Sequence, residues 1–342
     1  MTVRVLQAMA GAEYGGAEAF FVRLAAAFQR AGVDQRVVIR RNPERAAQLR
    51  AAGVEPDELA FGGRFDFSTK RGLGRIAKEF KPDVVLTWMN RASAMCPSGT
   101  FTRLGRLGGY YDLKYYQGCD HLIGNTEDIC AYLVKQGWDE DRVHYLPNFV
   151  SAGDAEPIAR QEFFTPSTTP LILTMGRLHE NKAFDVLLRA ISRVPDAYLW
   201  IAGEGPLREE LDKLAENLAV KPRVRFLGWR EDTDALLKTC DVFVCPSRHE
   251  PLGNVVLEAW AQGVPVVAAD SYGPGTLIDH LESGVLVPVD DEVTLAKAIN
   301  SVIGDSNLRE RISRQGHASY LADFTEDQVV ERYLAFFEAV KP

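Results

Sequence analysis

Short apolar runs alternate with amphipathic stretches along most of this chain. Residues 17–31 have apolar positions at the spacing of one helix face. Strand-like runs precede and follow this stretch, at residues 3–9, 35–40, 82–88, 121–125 and 143–148. This alternation predicts a parallel sheet whose strands are joined by right-handed helical crossovers.

The pattern breaks once and then begins again. Residues 150–170 are rich in Ser, Thr, Gly and Pro, which is typical of a linker. Further strand-like runs follow at residues 170–176, 197–203, 224–228, 241–247, 265–270 and 284–289. We therefore expect an α/β protein of two doubly wound domains, 1–165 and 166–324, with ligands bound between them at the carboxyl ends of the strands. Residues 325–342 are expected to form a final helix that crosses back to the first domain.

The composition is that of an ordinary globular protein. Of the 342 residues, 46% are hydrophobic and 25% are charged. No apolar run approaches the roughly 20 residues needed to span a bilayer, and the N-terminus has the pattern of a strand rather than of a signal peptide, so we expect a cytoplasmic protein. The five cysteines have an odd count and no metal-ligand spacing, which predicts reduced, structural thiols.

Charge is distributed unevenly between the two halves. Residues 1–150 carry 20 Lys and Arg against 17 Asp and Glu, whereas residues 151–342 carry 19 against 30. A nucleic-acid-binding protein would have a basic stripe, so this class is disfavoured. Six basic residues lie among phenylalanines at 61–81. One interpretation is that this segment contacts the inner membrane or an anionic lipid-linked acceptor. The alternative is a solvated helix whose apolar face covers the sheet.

The segment EPLGNVVLE places Glu250 and Glu258 eight positions apart, directly after a strand-like run. If a helix begins near Asn254, Glu250 lies in the loop and Glu258 lies on the second helical turn. Free backbone N–H groups at such a helix start favour a phosphate, and carboxylates suit sugar hydroxyls. The segment therefore predicts a nucleotide-sugar site.

Two cations, Arg177 and Lys182, follow the strand-like run at 170–176 on one loop. Cations in this position can neutralise a diphosphate that gains charge as it departs. A solvated basic loop is the alternative interpretation. Because no acidic metal-binding motif follows a strand, we expect these cations to replace a divalent metal, and we expect no cofactor besides the nucleotide-sugar.

Four segments in this order, GRLHENK, IAGEGP, VRFLGW and CPSRHEPLGNVVLEAWAQGVPVVA, resemble the C-terminal domain of the retaining glycosyltransferases of family 4. The resemblance spans residues 174–289. It implies the GT-B fold, in which two Rossmann-like domains face each other across a cleft. It also implies that Glu250 contacts the donor sugar, Glu258 contacts the ribose, and Arg177 with Lys182 contacts the diphosphate.

The turn between the two glutamates has implied roles as well. In the family, backbone N–H groups at the positions of Leu252, Gly253 and Asn254 help to hold the distal phosphate. Pro251 stands where many members have Gly, which removes one N–H donor and is expected to narrow the choice of donor.

In the first half, the segment YGGAEAF resembles the family's glycine loop, which lies beside the donor phosphates and the reacting sugar. Gly15 and Gly16 would allow close approach of the backbone to the ligand, and Glu18 begins the helix. An ordinary strand-to-helix turn that needs positive φ is the alternative.

Many family members carry a histidine beside the reaction centre, at the end of a middle strand of the first domain. The corresponding segment here, RLGRLGGYYDLKYYQG, contains none. Tyr110, Tyr111 and Asp112 are the candidates for that position. His121 lies further on, and we interpret it as structural.

The GEGP loop at 203–206 lacks the third glycine of a dinucleotide fingerprint, which disfavours a nicotinamide site. In the family this loop faces the nucleotide, so Gly203 is a candidate donor contact. Trp229 follows the next strand-like run, and it either flanks the base or packs in the core.

Together, these features predict transfer of a hexosyl unit from a UDP- or GDP-linked sugar, and the resemblance to family 4 implies that the anomeric configuration is retained. The expected acceptor is a hydroxyl of a cell-envelope glycan, such as a lipopolysaccharide or another lipid-linked glycan. A nucleotide-sugar epimerase and a non-catalytic two-domain sugar-binding protein are the alternatives. The base, the sugar and the linkage are left open by the sequence.

Overall fold

The computed structural model describes residues 3–13, 15–63 and 66–342. Tyr14 of the glycine segment, and Arg64 and Phe65 of the basic segment, lie outside the described residues. The chain divides into two compact units, one formed by Met1–Asn148 with Glu326–Pro342 and the other by Phe149–Thr325. The C-terminal residues therefore group with the first unit.

Each unit is built on one sheet. The strands are β1 (Arg4–Met9), β2 (Asp34–Arg40), β3 (Pro56–Leu59), β4 (Val84–Trp88), β5 (Thr102–Leu107), β6 (His121–Gly124), β7 (Val143–Tyr145), β8 (Leu171–Met175), β9 (Tyr198–Ala202), β10 (Val224–Gly228), β11 (Val242–Cys245), β12 (Val266–Ala269) and β13 (Val285–Val287). The α-helices are α1 (Gly16–Arg30), α2 (Pro43–Ala51), α3 (Phe67–Phe80), α4 (Met89–Met95), α5 (Glu127–Lys135), α6 (Phe184–Ile191), α7 (Arg208–Asn217), α8 (Thr233–Thr239), α9 (Asn254–Ala261), α10 (Tyr272–Leu277), α11 (Glu292–Gly304), α12 (Ser306–Asp323) and α13 (Glu326–Val340).

Both sheets are doubly wound and parallel. The strand order is β3-β2-β1-β4-β5-β6-β7 in the first unit and β10-β9-β8-β11-β12-β13 in the second. All strand pairs within these sheets are parallel. The order reverses between β1 and β4 and again between β8 and β11, and such reversals open a crevice at the carboxyl ends of the strands. The predicted two-domain α/β fold is confirmed.

The second sheet is covered on both faces, which explains its clear sequence pattern. On one face, Leu187 of α6 and Ile299 of α11 belong to a fully buried core. On the other face, Trp200 of β9 and Trp260 of α9 belong to a second buried core. The inner strands β8, β11 and β12 are fully buried, and such strands have nearly continuous apolar sequences. The six predicted strands of this half are therefore all present.

Two strands of the first sheet, β3 and β5, are absent from the set that the pattern predicts. Strand β3 has the sequence PDEL, and it lies at the edge of the sheet, where a proline and charged residues are tolerated. Strand β5 has the sequence TRLGRL, yet it lies inside the sheet. Its Arg106 is only 2% exposed, which hydrophobic periodicity does not anticipate.

This buried arginine helps to hold the C-terminal helix on the first unit. The Arg106 guanidinium lies 4.5 Å from the ring centre of Trp88, and its Nε donates a 2.8 Å hydrogen bond to the hydroxyl of Tyr333 on α13. Phe28 of α1 makes edge-on ring contacts with Tyr333 and Phe337, both with centroids 5.9 Å apart. Helix α13 thus covers the first sheet through α1 and β5.

Much of the predicted linker, residues 150–170, is hydrogen-bonded to other parts of the second unit. The Gly153 N–H donates to Asp234 at 3.0 Å, and the Ile158 N–H donates to the Thr239 hydroxyl at 2.7 Å. Arg160 forms a 3.0 Å ion pair with Asp241. Because these bonds fix residues 153–160 against α8 and the start of β11, this part of the predicted linker is ordered structure, although it lacks α-helix and strand.

Candidate active site

Lys182 and Glu250 meet at the carboxyl edge of the second sheet. They lie on the loops that follow β8 and β11, the neighbouring strands between which the strand order reverses. The Lys182 ammonium forms an ion pair with Oε2 of Glu250. Glu250 is only 9% exposed, and Ser247 donates a 3.5 Å hydrogen bond to the same oxygen. Two residues predicted from the sequence therefore lie together where an open α/β sheet binds its ligand.

Arg248, which was not among the residues predicted from the sequence, connects these two loops. Its guanidinium donates to both carboxylate oxygens of Asp185, at 2.9 and 2.7 Å, and to the Glu180 carbonyl at 2.8 Å. It also donates to Asp290 at 2.6 Å. Burial opposes ionisation of Asp185, but the hydrogen bonds and charge of Arg248 outweigh it and lower the pKa of Asp185. The only sequence signal for Arg248 is its place in CPSRHEPLGN, since Asp185 is 63 positions away.

Helix α9 begins at Asn254, as predicted, and its N-terminus lies directly after the Glu250 loop. Gly253 precedes it in the left-handed conformation, with φ 79°, and no side chain of the described residues caps the helix. Leu252 is buried, whereas Asn254 and Glu258 are half-buried, with Glu258 on the second helical turn. A helix start without a side-chain cap is suited to an anion.

The loop before α10 supports the same turn. The Gly273 N–H donates to the Glu250 carbonyl at 2.8 Å. A Cβ at position 273 would lie 2.4 Å from the carbonyl carbon of Leu252, so only glycine fits there. The position of the Glu250 carboxylate therefore depends on close backbone packing between two loops.

Gly203 is a packing position rather than an open surface. It has φ 146°, and a Cβ there would lie 1.9 Å from the carbonyl oxygen of Gly176. Its N–H donates to the Gly228 carbonyl at 2.7 Å. The backbones at the carboxyl ends of β8, β9 and β10 are therefore in direct contact through glycines. This contact fixes the point at which the Arg177 loop leaves the sheet.

Arg177 and Trp229 both lie at the surface of the second unit. Arg177 is exposed and forms no hydrogen bond or ion pair with the described residues. Trp229 has 71% of its surface exposed, so the alternative that it packs in the core is wrong. Both side chains are accessible to a ligand at the carboxyl edge of the sheet.

In the first unit, the glycine segment makes room for a buried carboxylate. Glu18 is 6% exposed and accepts a 2.6 Å hydrogen bond from the Ala12 N–H. A Cβ at Gly11 or Gly15 would lie 2.5 or 2.3 Å from a carboxylate oxygen of Glu18, whereas a Cβ at Gly16 would meet nothing. Gly15 has an extended backbone with φ 169°, and Gly16 is not among the residues with positive φ. The alternative of a turn that needs positive φ is therefore wrong.

The three candidates for the missing histidine have different surroundings. The Tyr110 hydroxyl donates to Asp128, and Asp112 is ion-paired with Lys114, whose hydrogen bond lowers the pKa of Asp112. Tyr111 is half-buried and lines a cavity of the first unit, and burial raises its pKa. Of the three, Tyr111 is therefore the one placed to face a ligand.

His121 lies apart from these candidates. Its Nδ1 is 3.0 Å from Nε2 of His144, and both rings contact Phe336 of α13. Burial lowers the pKa of both histidines. These contacts agree with the structural interpretation of His121.

The cysteines are all free, and burial raises the pKa of the Cys96 and Cys119 thiols to about 12. Within residues 3–13, 15–63 and 66–342, no group of three or more His, Cys, Asp or Glu residues is placed to hold a metal ion. In the same ranges, no helix combines the length and apolar character needed to cross a membrane.

Comparisons with known proteins agree with this architecture. The model of the family described as Glycosyltransferase Family 4 matches residues 14–153, and that of Glycosyl transferases group 1 matches residues 156–319. The lipopolysaccharide core biosynthesis glycosyltransferase LpsE of Rhizobium meliloti is 38% identical over 96% of this chain and 97% of its own length. LpsD of the same organism, with the same description, is 37% identical over 95% of each chain.

Among solved structures, Anabaena Alr3699/HepE in complex with UDP has the same fold. The TM-score is 0.87, over 99% of this chain and 100% of that one, at 18% sequence identity. Full-length similarity to LpsE and the matches in both halves agree with the two doubly wound sheets. This chain therefore belongs to the group 1 glycosyltransferases and has the GT-B fold.

Proposed function

We propose that this glycosyltransferase moves a hexosyl unit from a nucleoside-diphosphate sugar to a hydroxyl of a lipopolysaccharide core acceptor, with retention of the anomeric configuration. The observation that carries the proposal is the pairing of Lys182 with Glu250 beside the uncapped start of α9. The acceptor class is supported by LpsE and LpsD, which are described as lipopolysaccharide core biosynthesis glycosyltransferases. Retention is supported by the resemblance to family 4.

The donor is proposed to carry uridine diphosphate. The support is that Alr3699/HepE, which shares the fold, binds UDP. In this proposal, Arg177 and Lys182 contact the diphosphate, and the N–H groups of Leu252, Gly253 and Asn254 contact its distal phosphate. Glu258 contacts the ribose, and Gly203 supports the loop beside the nucleotide.

Glu250 is suited to the donor sugar because only one of its carboxylate oxygens is occupied. Oε2 accepts from Lys182 and Ser247, whereas Oε1 takes part in no hydrogen bond with the described residues. A sugar hydroxyl can therefore donate to Oε1 while Lys182 remains bound to Oε2. When the diphosphate arrives, Lys182 bridges the leaving phosphate and the carboxylate that orients the sugar.

Residues of the first unit are also proposed to take part in the reaction. Glu18 and the backbone at Gly15 and Gly16 are proposed to lie beside the donor phosphates and the reacting sugar, with Tyr111 near the position that a histidine occupies in many relatives. Transfer on the cytoplasmic side of the inner membrane stays a prediction. Its structural support is α3, which exposes Phe67, 65% accessible, together with several basic side chains.

Metal independence gives the proposal a direct test. Release of UDP from UDP-hexoses should require acceptor, since the proposed reaction is a transfer. Because Arg177 and Lys182 are proposed to neutralise the leaving diphosphate, this release should be unchanged by excess EDTA. The measurement is a coupled assay of UDP release with deacylated lipopolysaccharide core as acceptor. Loss of activity in EDTA, restored by Mg²⁺ or Mn²⁺, would contradict metal independence. Isomerised sugar formed from donor alone would favour the epimerase, and tight UDP-sugar binding without turnover would favour the non-catalytic protein.

A further inference from the structure

The first unit contains a large cavity of its own. Its volume is about 890 Å³, within the range of about 300–1,000 Å³ typical of ligand sites. Its lining comes from the segments that follow four parallel strands: residues 10–12 after β1, Arg40 at the end of β2, residues 89–91 after β4, and Tyr111, Lys114 and Tyr115 after β5. Lys70 of α3 completes one wall. The cavity therefore occupies the carboxyl edge of the sheet, where this fold class binds ligands.

The charged side chains that line this cavity are all cationic. They are Arg40, Lys70, Arg91 and Lys114, and no Asp or Glu is among the described lining residues. Lys114 is already ion-paired with Asp112. Asp66, which lies nearby, accepts hydrogen bonds from Ser68, Thr69 and the Gly62 N–H, so its charge is used to cap α3.

Three cations remain for a ligand. Arg40 and Lys70 are exposed and have no hydrogen bond or ion pair with the described residues. Arg91 donates one N–H to the Phe61 carbonyl at 3.1 Å and keeps its other donors. These three side chains come from three separate elements, so neither one helix face nor a run of neighbouring residues explains why they converge on a single cavity.

The backbone at the cavity is strained in a way that sets the position of one of these cations. Met89, directly after β4, has φ 63°, a left-handed conformation that is uncommon for a residue other than glycine. It turns the chain into α4, so that Asn90 and Arg91 line the cavity. The Asn90 Oδ1 atom is buried and has no hydrogen-bond partner among the described residues. Backbone strain of this kind clusters at binding and active sites.

From these observations we infer that the acceptor is an acidic oligosaccharide, with phosphate or carboxylate groups close to the hydroxyl that receives the sugar. The inference rests on the proposed function and specifies its acceptor. Arg40, Lys70 and Arg91 bind the acidic groups, since guanidinium and ammonium groups form their strongest hydrogen bonds with such anions.

The test measures binding, so that it does not depend on turnover. The probe is deacylated core oligosaccharide from a strain that lacks the gene for this enzyme, titrated calorimetrically into the wild-type protein. One sample is left intact, one is dephosphorylated with hydrofluoric acid, and one has its carboxylates reduced to alcohols. Loss of one charge-assisted contact should weaken binding by about tenfold or more, in the dephosphorylated sample, the carboxyl-reduced sample or both. The sample that weakens identifies the acidic group.

Variants connect that effect to the cavity. Arg40→Gln and Arg91→Gln should each weaken binding of the intact probe by about tenfold and should bind the neutralised probe no worse than the wild type does. Arg91→Lys, which keeps the charge, should retain part of the affinity. Arg75→Gln is the matched control, because it removes an exposed cation from α3 that does not line the cavity.

Three results would overturn the inference: equal affinity for intact and neutralised probes, no binding of the intact probe, or an equal loss in Arg75→Gln. Variants that lose binding only to anionic lipid vesicles, and not to the deacylated probe, would assign these cations to a membrane surface instead. If charge-dependent binding is observed but no sugar is transferred from any donor, the proposed function fails while the cavity's preference for an acidic glycan stands.

Discussion

Replacing Lys182 by alanine is expected to lower acceptor-dependent transfer by at least about a hundredfold, with a melting temperature that still indicates a folded protein. The reason is electrostatic: a preorganised donor to a charge that develops in the transition state contributes about 2.7–4 kcal/mol. Lys182 is held in place by Glu250 before any ligand arrives, so its charge needs no reorganisation during the reaction. The measurement is steady-state kinetics of UDP release.

A purely structural role for Lys182 has to be separated from this one. Removing the lysine leaves the Glu250 carboxylate, 9% exposed, without its partner, and an unpaired buried charge can cost about 3–5 kcal/mol of stability. The double variant Lys182→Ala with Glu250→Gln removes that charge, so it should recover stability but not transfer. Lys213→Ala, an exposed lysine on α7, is the control and should keep full activity. Recovery of transfer in the double variant would contradict the proposed role of Lys182.

Gly203→Ala is expected to destabilise the second unit strongly. The new Cβ would lie 1.9 Å from the Gly176 carbonyl oxygen, and φ 146° is a conformation that side chains rarely adopt. Backbone strain and overpacking each cost about 1–3 kcal/mol, so the free energy of unfolding should fall by about 3 kcal/mol or more. Urea unfolding followed by tryptophan fluorescence measures the change.

Gly263→Ala is the matched control for this substitution. Gly263 also has positive φ, 67°, but a Cβ there would meet no atom within 4 Å. It should therefore cost only the left-handed penalty of about 1–2 kcal/mol. If Gly203→Ala destabilised the protein no more than Gly263→Ala, the close packing of the strand ends would not be what holds the Arg177 loop.

The second half of the fold could be predicted from the sequence because its inner strands are buried on both faces. Runs such as that of β11, VFVC, and that of β12, VVAA, have no polar residue to obscure the pattern. In the first half, the sequence pattern does not predict β5, since it contains two arginines and a glycine. The reason for that composition is tertiary: Arg106 packs on Trp88 and binds Tyr333, which is more than two hundred positions away along the chain.

The candidate site could likewise be predicted only in part from the sequence. The spacing in EPLGNVVLE correctly predicted where α9 begins, and the order of motifs selected Lys182 and Glu250, which the structure brings together. Pairing of Arg248 with Asp185 and the role of Gly15 beside Glu18 could not be read from spacing. Both depend on contacts between side chains and loops whose approach only the folded chain defines. The catalytic and donor-binding roles of all these residues stay predictions.

The cavity of the first unit illustrates the same limit. Residues 61–81 showed an excess of basic side chains, but Arg40 and Arg91 lie outside that segment and had no motif of their own. Only the parallel arrangement of β1, β2, β4 and β5 brings their carboxyl ends to one edge. Charge clusters formed in this way are a property of topology, not of local sequence.

Transfer of a sugar with retention can be observed by proton NMR of a reaction that contains a UDP-hexose and deacylated core acceptor. We expect UDP to be released only when acceptor is present, and we expect the anomeric proton of the new glycoside to have the coupling constant of the donor's own configuration. A product of inverted configuration would contradict this expectation, and so would a sugar that isomerises in the absence of acceptor.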